Sequence, residues 1–265
     1  MADSPVWPRA ALAIGLAAIV LSYVPILWLA LMSFSERPFS GLPWPLTVDW
    51  YREMAADRRW PGPMGLSLAL AGAVAVICMV VATAVGRGIM RLRRPGGVLA
   101  LAVVPLFVPG LTIGAALFLF FRSYLDLRLG VWSMLIGHIV WALPFALLLV
   151  VVMLSRFDRR LVEAAADLGA SPRRIFLDIE LPILRPAVVG AGLFGFLLSF
   201  TELMRSIFLR GTATSMPVFQ WAQSSDHQSY VPISFALSTI ILAVTLPVLG
   251  AFFWILFRGM EGPRR

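Results

Sequence analysis

Lysine is missing from this 265-residue chain, in which arginine supplies all 22 of the strongly basic side chains. A nucleotide-binding P-loop needs a lysine to reach the phosphates of its nucleotide. The chain therefore lacks a residue that a P-loop ATPase requires. Any ATP-driven activity would depend on a partner that hydrolyses the nucleotide.

Cysteine and histidine are also scarce. The single cysteine, Cys78, has no partner for an internal disulfide, and its position in an apolar run indicates a small packing residue. The two histidines, His138 and His227, are far apart in the sequence. An enzyme would need a convergent set of nucleophile, base or metal ligands. We therefore predict no catalytic residue, no metal site and no enzymatic activity.

Charged side chains make up only 14% of the chain, whereas a typical soluble domain has about 25%. Apolar residues form six runs of roughly 20 residues, the length that an α-helix needs to cross a bilayer. These runs cover approximately residues 10–32, 66–85, 98–121, 131–154, 187–208 and 233–257. We predict an all-α integral membrane protein with six transmembrane helices in one domain that spans residues 1–265.

Most of the arginines lie in segments that would share one side of the membrane with the N-terminus, and residues 155–186 are the richest of these segments. Short loops rich in arginine stay in the cytoplasm. The basic balance therefore indicates membrane topology rather than nucleic-acid binding. We expect both termini and residues 155–186 to be cytoplasmic. The first run should be an uncleaved helix, because its apolar core is too long for a signal peptide.

The third run contains two prolines and two glycines, Pro105, Pro109, Gly110 and Gly114. Proline removes a backbone donor and kinks a helix. Membrane proteins tolerate such breaks where they line a cavity or pack on neighbouring helices. We predict a kinked third span with one of these two roles.

The segment between the first and second runs carries Trp44, Trp50, Tyr51 and Trp60. Amphipathic aromatic side chains favour the membrane interface. We predict a short helix near Val48–Ala56 with Thr47 as its N-cap. It would form either an interfacial belt or a surface for an extracytoplasmic partner.

Residues 155–186 are polar and interrupt the apolar pattern. Asp158 is a suitable N-cap for a helix that begins near Arg159. Glu163 and Asp167 lie four residues apart on the side opposite an apolar stripe, and Gly169 ends the helix as a C-cap glycine. The stripe consists of Leu161, Ala165 and Leu168.

A second helix follows this first one. Ser171 can cap it, and Pro172 suits its first position. Its predicted apolar stripe consists of Phe176, Ile179 and Ile183. Pro182 and Pro186 should then bend the chain before the fifth span. The sequence thus predicts a helix–turn–helix that projects from the bilayer.

The same segment contains a fixed spacing: Glu163-Ala164-Ala165, three residues, Gly169, nine residues, Ile179, one residue, Leu181-Pro182. This pattern resembles the EAA loop of permease subunits of binding-protein-dependent ABC importers, and it matches every fixed position of that loop. An amphipathic connector lying on the membrane is the alternative. A connector would not require small residues followed by glycine at this spacing.

The resemblance implies a type I ABC importer-like fold, with a cytoplasmic coupling-helix loop between the fourth and fifth helices. In that family the first short helix of the loop fits a cleft on the ATPase and passes its motion to the membrane helices. The implied coupling residues are Glu163, Ala164, Ala165, Asp167 and Gly169, with Ile179, Leu181 and Pro182 as anchors to the fifth span.

The resemblance also implies partners. A permease of this kind works with a second permease subunit, two ATP-binding subunits and a soluble extracytoplasmic solute-binding protein, in the lipid of a bacterial inner membrane. It moves solute by alternating access and catalyses no chemistry itself. ATP and Mg²⁺ would be bound by the partner ATPases, so no cofactor is expected in this chain. The family branch favours a heterodimer, although a homodimer stays open.

Two further stretches are similar to the spermidine/putrescine permease branch. One is Ser67-Leu68-Ala69-Leu70 at the start of the second span, and the other runs from Leu197 to Met216-Pro217 and includes Gly211. This similarity covers nearly the whole chain, with looser motifs than those of the loop. It implies a polyamine-like substrate.

Glu202 is the only acidic residue in the six runs, and Arg205 lies one helical turn away. An ionisable group inside the membrane is a candidate for function, so both residues are predicted to lie in the substrate pathway. They could instead form a structural ion pair. Because that pair would be neutral, other amines, anions, amino acids and metal complexes stay open as substrates.

An ion- or proton-coupled secondary transporter is the alternative function. Such proteins often have internal repeats and several ionisable groups in the membrane. This chain has few such groups and no obvious repeat. The sequence therefore favours the ATP-driven importer.

Overall fold

A computed structural model describes the backbone of residues 6–260 and the side chains of residues 11–247, 249, 250 and 253. The predicted domain ends, and with them Arg264 and Arg265, lie outside the described residues. Twelve α-helices are present in the described part: α1 Val6–Met32, α2 Asp49–Ala56, α3 Pro61–Met90, α4 Pro95–Val103, α5 Gly110–Phe118, α6 Val131–Ser155, α7 Arg160–Asp167, α8 Pro172–Arg174, α9 Leu181–Phe200, α10 Met204–Leu209, α11 Met216–Asp226 and α12 Val231–Met260.

The all-α membrane fold is confirmed. Five helical stretches are long and apolar enough to cross a membrane: Ala11–Met32, Pro61–Met90, Val131–Ser155, Pro172–Phe200 and Gln228–Pro247. A sixth span arises if the bent pair Pro95–Phe107 and Gly110–Tyr124 counts as one. Four of the six apolar runs therefore correspond to one helix each, the third to the bent pair, and the fifth to the end of α9 together with α10.

The third run is broken rather than merely kinked, because its two halves meet at an angle of 95°. Val108 precedes Pro109 and is extended, with ψ of 129°. The ring of a proline disfavours the helical conformation of the residue before it, so the helix cannot pass through Val108. Helix α5 then begins afresh at Gly110.

The predicted fifth span at residues 187–208 is wrong at both ends. The helical stretch begins at Pro172 and ends at Phe200, and Met204–Leu209 is a separate short helix. The carboxylate of Glu202 accepts the backbone N–H of Arg205 at 3.0 Å. A side-chain acceptor of this kind competes with the helical backbone, and here it caps α10 instead of allowing α9 to continue.

The chain forms two compact units, and the larger consists of residues 59–219. In it α3, α6 and α9 pack around a core of small side chains that includes Cys78, Ala146 and Ala191. A Cβ on Gly195 would lie 3.1 Å from the Cα of Ala75. Small residues let membrane helices approach closely, and the predicted packing role of Cys78 is confirmed by its complete burial.

The other unit consists of residues 1–58 and 220–265. The predicted helix near Val48–Ala56 is present as α2. Thr47 is not its N-cap, since Val48 holds that position without a side-chain bond. The Thr47 hydroxyl instead accepts the N–H of Asp49 at 3.1 Å. Within this unit the Tyr230 hydroxyl donates to Asp57 at 2.9 Å, which ties the start of α12 to the end of α2.

Candidate functional site

Helix α7 forms the first part of the polar segment 155–186, which we call the coupling segment. The carboxylate of Asp158 accepts the N–H of Arg160 at 3.0 Å. The helix thus begins one residue later than predicted, with Arg159 at the N-cap position. It ends at Asp167, and Gly169 has φ of +81°. This left-handed conformation favours glycine. Gly169 therefore ends the helix as predicted, but Leu168 occupies the C-cap position and Gly169 follows it.

The predicted coupling residues of α7 are largely open to solvent. Glu163, Ala164 and Asp167 are exposed, and Ala165 is half-buried. In the apolar stripe Leu161 is 45% exposed and Leu168 is 89% exposed. The apolar stripe of α7 is therefore only partly covered by the described residues.

The second helix of the segment departs from the prediction. Ser171 does cap it, since its hydroxyl accepts the N–H of Arg174. Pro182 and Pro186 do not separate it from the fifth span, because Pro172–Phe200 is helical throughout. A π-turn at Ile175–Glu180 widens the helix just before Pro182. Such a turn accommodates a proline ring that would otherwise clash with the carbonyl four residues earlier.

The π-turn also changes the buried face of this helix. Ile175, Glu180 and Leu184 are buried, whereas Ile183 is 41% exposed. The predicted stripe of Phe176, Ile179 and Ile183 is therefore wrong at its last member. The prediction assumed the regular period of an α-helix. The Leu181 N–H instead bonds the carbonyl of Phe176, five residues earlier, and this wider turn changes which later side chains face inward.

Glu180 connects the coupling segment to α3. Its carboxylate accepts Nε–H of Arg87, in the last turn of α3, at 2.5 Å. The Arg87 guanidinium lies 4.1 Å from the centroid of the Phe176 ring. A second link joins Arg159 to the backbone carbonyl of Met90, which is the last residue of α3. Two arginines thus tie the segment to one helix end.

An open pocket lies between α7 and the end of α3. Both linking arginines line it, together with Glu163 from α7 and Glu180 from the π-turn. The predicted coupling residue Glu163 therefore shares a surface with the residues that hold α3. Neither Arg87 nor Glu180 was singled out from the sequence, because the two are 93 residues apart.

Glu202 and Arg205 form a second Arg–Glu pair, which is almost completely buried. Nη1 of Arg205 donates to Oε2 of Glu202, and the two residues are 3% and 6% exposed respectively. The guanidinium lies 4.3 Å from the centroid of the Trp141 ring. A Cβ on Gly110 would lie 2.9 Å from Nη2 of Arg205. The arginine therefore packs against the break in the third run, where only glycine leaves room.

His138 extends this buried cluster. Its Nδ1 lies 2.8 Å from the hydroxyl of Ser199, and its Nε2 lies 2.9 Å from that of Ser206. Ser206 donates its own proton to the Glu202 carbonyl at 2.8 Å. The Ser206 oxygen is therefore free to accept from Nε2–H, and both ring nitrogens of His138 have a hydroxyl partner. This role could not be predicted from the sequence, because a lone histidine in an apolar run has many possible partners.

Two stretches that resembled one family branch also meet. The hydroxyl of Ser67 accepts the backbone N–H of Met216 at 2.8 Å. Gly211, between α10 and α11, has φ of +56°, and a Cβ there would lie 2.2 Å from the Leu129 carbonyl oxygen. Both sets of residues thus hold the first residue of α11 and the preceding loop within the larger unit.

The fold and the coupling segment define a multi-pass helical membrane protein with an exposed helix–turn–helix between two spans. The profile of the family described as "Binding-protein-dependent transport system inner membrane component" matches residues 90–259. The chain belongs to this family. It is therefore a transport permease of an ABC importer rather than an enzyme, and family membership does not support the ion-coupled alternative.

Curated relatives extend the match over most of the chain. The putrescine transport system permease protein PotI of Escherichia coli (strain K12) is 28% identical over 251 residues, which cover 91% of this chain and 88% of PotI. The spermidine/putrescine transport system permease protein PotC of the same strain is 31% identical over 228 residues, which cover 84% of this chain and 85% of PotC.

A solved structure supports the fold. The crystal structure of a bacterial ABC transporter involved in the import of the acidic polysaccharide alginate aligns with a TM-score of 0.68 at 14% identity. The alignment covers 96% of this chain and 99% of the matched chain. The likeness therefore concerns the architecture of the type I importer permeases.

Proposed function

We propose that this chain is the transmembrane permease subunit of an ATP-driven importer of polyamine-like amines. The observation that carries the proposal is the exposed helix α7 with Gly169 at its end, in a chain of the binding-protein-dependent permease family. PotI and PotC, whose names specify putrescine and spermidine transport, support the substrate class.

The proposed assembly contains a second, different permease subunit, two ATP-binding subunits and a soluble extracytoplasmic solute-binding protein. The partner ATPases bind ATP and Mg²⁺. The chain lies in a bacterial inner membrane, with both termini and the coupling segment in the cytoplasm. The arginine-rich composition of residues 155–186 supports this orientation.

In this mechanism α7 enters a groove on one ATPase. Its three successive alanines, Ala164–Ala166, keep the helix slim, and exposed Leu168 provides an apolar tip. Gly169 fixes the direction in which the chain leaves the groove, because its φ is left-handed. Ile179, Leu181 and Pro182 lie in the helical stretch Pro172–Phe200. Movement of α7 that is passed through the turn at residues 168–171 therefore enters a membrane helix without a further break.

Glu202 and Arg205 stay candidates for the substrate pathway. Their side chains contact each other and are buried, so a polycation would not meet a free carboxylate at this position. The binding protein would then supply most of the selectivity. The substrate class consequently depends on the relatives more than on this site.

The first test is the ATPase activity of the complex co-purified with this subunit and reconstituted in lipid. It is measured alone, with empty binding protein, and with binding protein loaded with putrescine or spermidine. Stimulation only by the loaded form is the expected result. Stimulation by a binding protein carrying another solute would replace the substrate class, and the absence of any co-purifying ATPase would overturn the ATP-driven function.

A further inference from the structure

We infer that Arg87 and Glu180 are positioning residues that make the coupling segment and the end of α3 move as one body. This inference rests on the proposed function, because it concerns how movement of α7 reaches the membrane helices. The residues come from helical stretches far apart in the sequence, and neither belongs to the fixed positions of the EAA pattern.

The contact between Arg87 and Glu180 fixes the orientation of the guanidinium as well as its distance from the carboxylate. Glu180 is buried and accepts Arg87 Nε–H at 2.5 Å. The face of the Phe176 ring supports the same guanidinium at 4.1 Å. A planar guanidinium that is both hydrogen-bonded and stacked keeps one orientation, which a lysine ammonium would not do.

The π-turn explains why Glu180 can reach α3. Ile175 and Glu180 are five residues apart and are both buried, a spacing that fits the wide turn. The turn lies directly before Leu181-Pro182. Leu181-Pro182 therefore contributes to the contact with α3 without touching Arg87, because Pro182 favours the π-turn that directs Glu180 toward Arg87.

A second contact with α3 lies at the N-terminal end of α7. Arg159 is the N-cap residue of α7, and its side chain donates to the carbonyl of Met90. The guanidinium thus lies at the C-terminal end of α3, where a cation complements the helix dipole. Since α7 is held near its start and the π-turn is held at Glu180, the whole segment between them is fixed to α3.

Helix α3 in turn packs along α6 and α9 through the core that contains Cys78 and Ala191. A displacement of α7 is therefore delivered to two membrane helices at once. It reaches α9 through the turn at residues 168–171 and the helical stretch Pro172–Phe200, and it reaches α3 through Arg87–Glu180. A buried ion pair is weak evidence for stability. We therefore assign Glu180 a conformational role rather than a stabilising one.

The test uses spin labels on the complete complex. Cys78 is replaced by Ala, and labels are attached at Leu92→Cys and Arg173→Cys, both of which are exposed. The label–label distance distribution is recorded without nucleotide and with ATP. In the otherwise unchanged chain the distance should stay the same in both states. In Glu180→Arg it should broaden or shift on addition of ATP.

Transport gives the second readout as solute moved per ATP hydrolysed, normalised to assembled complex. Putrescine is the probe, and uptake is measured in proteoliposomes. Glu180→Arg should lower this ratio at least about tenfold while ATP hydrolysis persists. The exchange variant, Arg87→Glu with Glu180→Arg, should recover at least half of the ratio. Asp178→Arg is the matched control, because Asp178 is exposed on the same turn and should change neither readout.

Glu180→Gln keeps the inference falsifiable if the reversed charge prevents assembly, because glutamine preserves the volume and an acceptor oxygen. It should lower the transport ratio roughly threefold or more. A normal ratio and an unchanged label distance in Glu180→Gln or Glu180→Arg would overturn the inference. If the unaltered complex hydrolyses ATP without uptake, or lacks an ATPase, the proposed function fails instead.

Discussion

The larger unit contains two Arg–Glu pairs, one half-buried and one almost completely buried, and they differ in what they connect. Arg87 and Glu180 are 93 residues apart and join the end of α3 to the coupling segment. Glu202 and Arg205 are three residues apart and contact each other within one turn. The same two residue types therefore produce a link between helices in one place and a local cap in the other.

The difference follows from what surrounds each pair. Around Arg205 the environment is closed: the Trp141 ring covers the guanidinium, and Gly110 lies directly against it. Around Arg87 the environment opens into the pocket beside α7. A closed pair contributes to the packing of one region, whereas a pair at a pocket edge can respond to a partner. We therefore expect mutations in the two regions to separate stability from coupling.

The largest effect on stability should come from Arg205→Met. It leaves the carboxylate of Glu202 buried without its partner, and breaking a buried pair in this way costs about 3–5 kcal/mol. We expect a large fall in the yield and in the thermal unfolding temperature of the purified complex.

The double variant Glu202→Gln with Arg205→Met is the control for this prediction. It removes both charges and keeps an acceptor for the helix cap, so part of the lost stability should return. Equal losses in the single and double variants would contradict the argument from an unpaired charge, and the comparison of the two pairs would fail with it.

A smaller effect on stability and a large one on transport are expected from Gly169→Val. Its φ of +81° is unfavourable for any L side chain and most for a β-branched one. The strain is about 1–2 kcal/mol and lies in the exposed turn after α7. Transport should collapse while the subunit still inserts, as measured by uptake per inserted subunit.

Gly88→Val gives the matched control. Gly88 is helical, lies near the same end of the unit, and has nothing within 4 Å of a Cβ. Transport in this variant should stay close to that of the unaltered subunit. Equal transport in the two valine variants would show that the exit angle of α7 does not matter.

The smallest effect on stability should come from Leu168→Ser, because this leucine is 89% exposed. Surface substitutions usually change stability by no more than about 0.5 kcal/mol. Removal of the apolar tip should nevertheless weaken binding of the ATPase. The measurement is the ratio of ATPase to permease after co-purification.

Leu184→Ser is the control for Leu168→Ser, because Leu184 is completely buried in α9. This variant should lose stability first and ATPase binding only as a consequence. If Leu168→Ser leaves the subunit ratio unchanged, the exposed stripe of α7 does not dock the partner.

The accuracy of the sequence predictions differs between regular and irregular parts. The first, second, fourth and sixth spans follow directly from long apolar runs, and the capped helix from Arg160 to Asp167 follows from Asp158 and Gly169. These features depend on local chemistry. The π-turn at Ile175–Glu180 and the break after Phe200 were missed, because both require a side chain or a proline to compete with the regular backbone pattern.

By itself the sequence determined the membrane class, the positions of most spans, the capped helix α7 and the family resemblance. Apolar runs, arginine-rich segments and helix caps each involve residues that are close together in the chain, so they can be recognised without knowing the tertiary structure. Only the tertiary structure decided that Glu180 meets Arg87 and that His138 lies between Ser199 and Ser206. Those partners are brought together by close packing of α3, α6 and α9, which depends on contacts between residues distant in the chain.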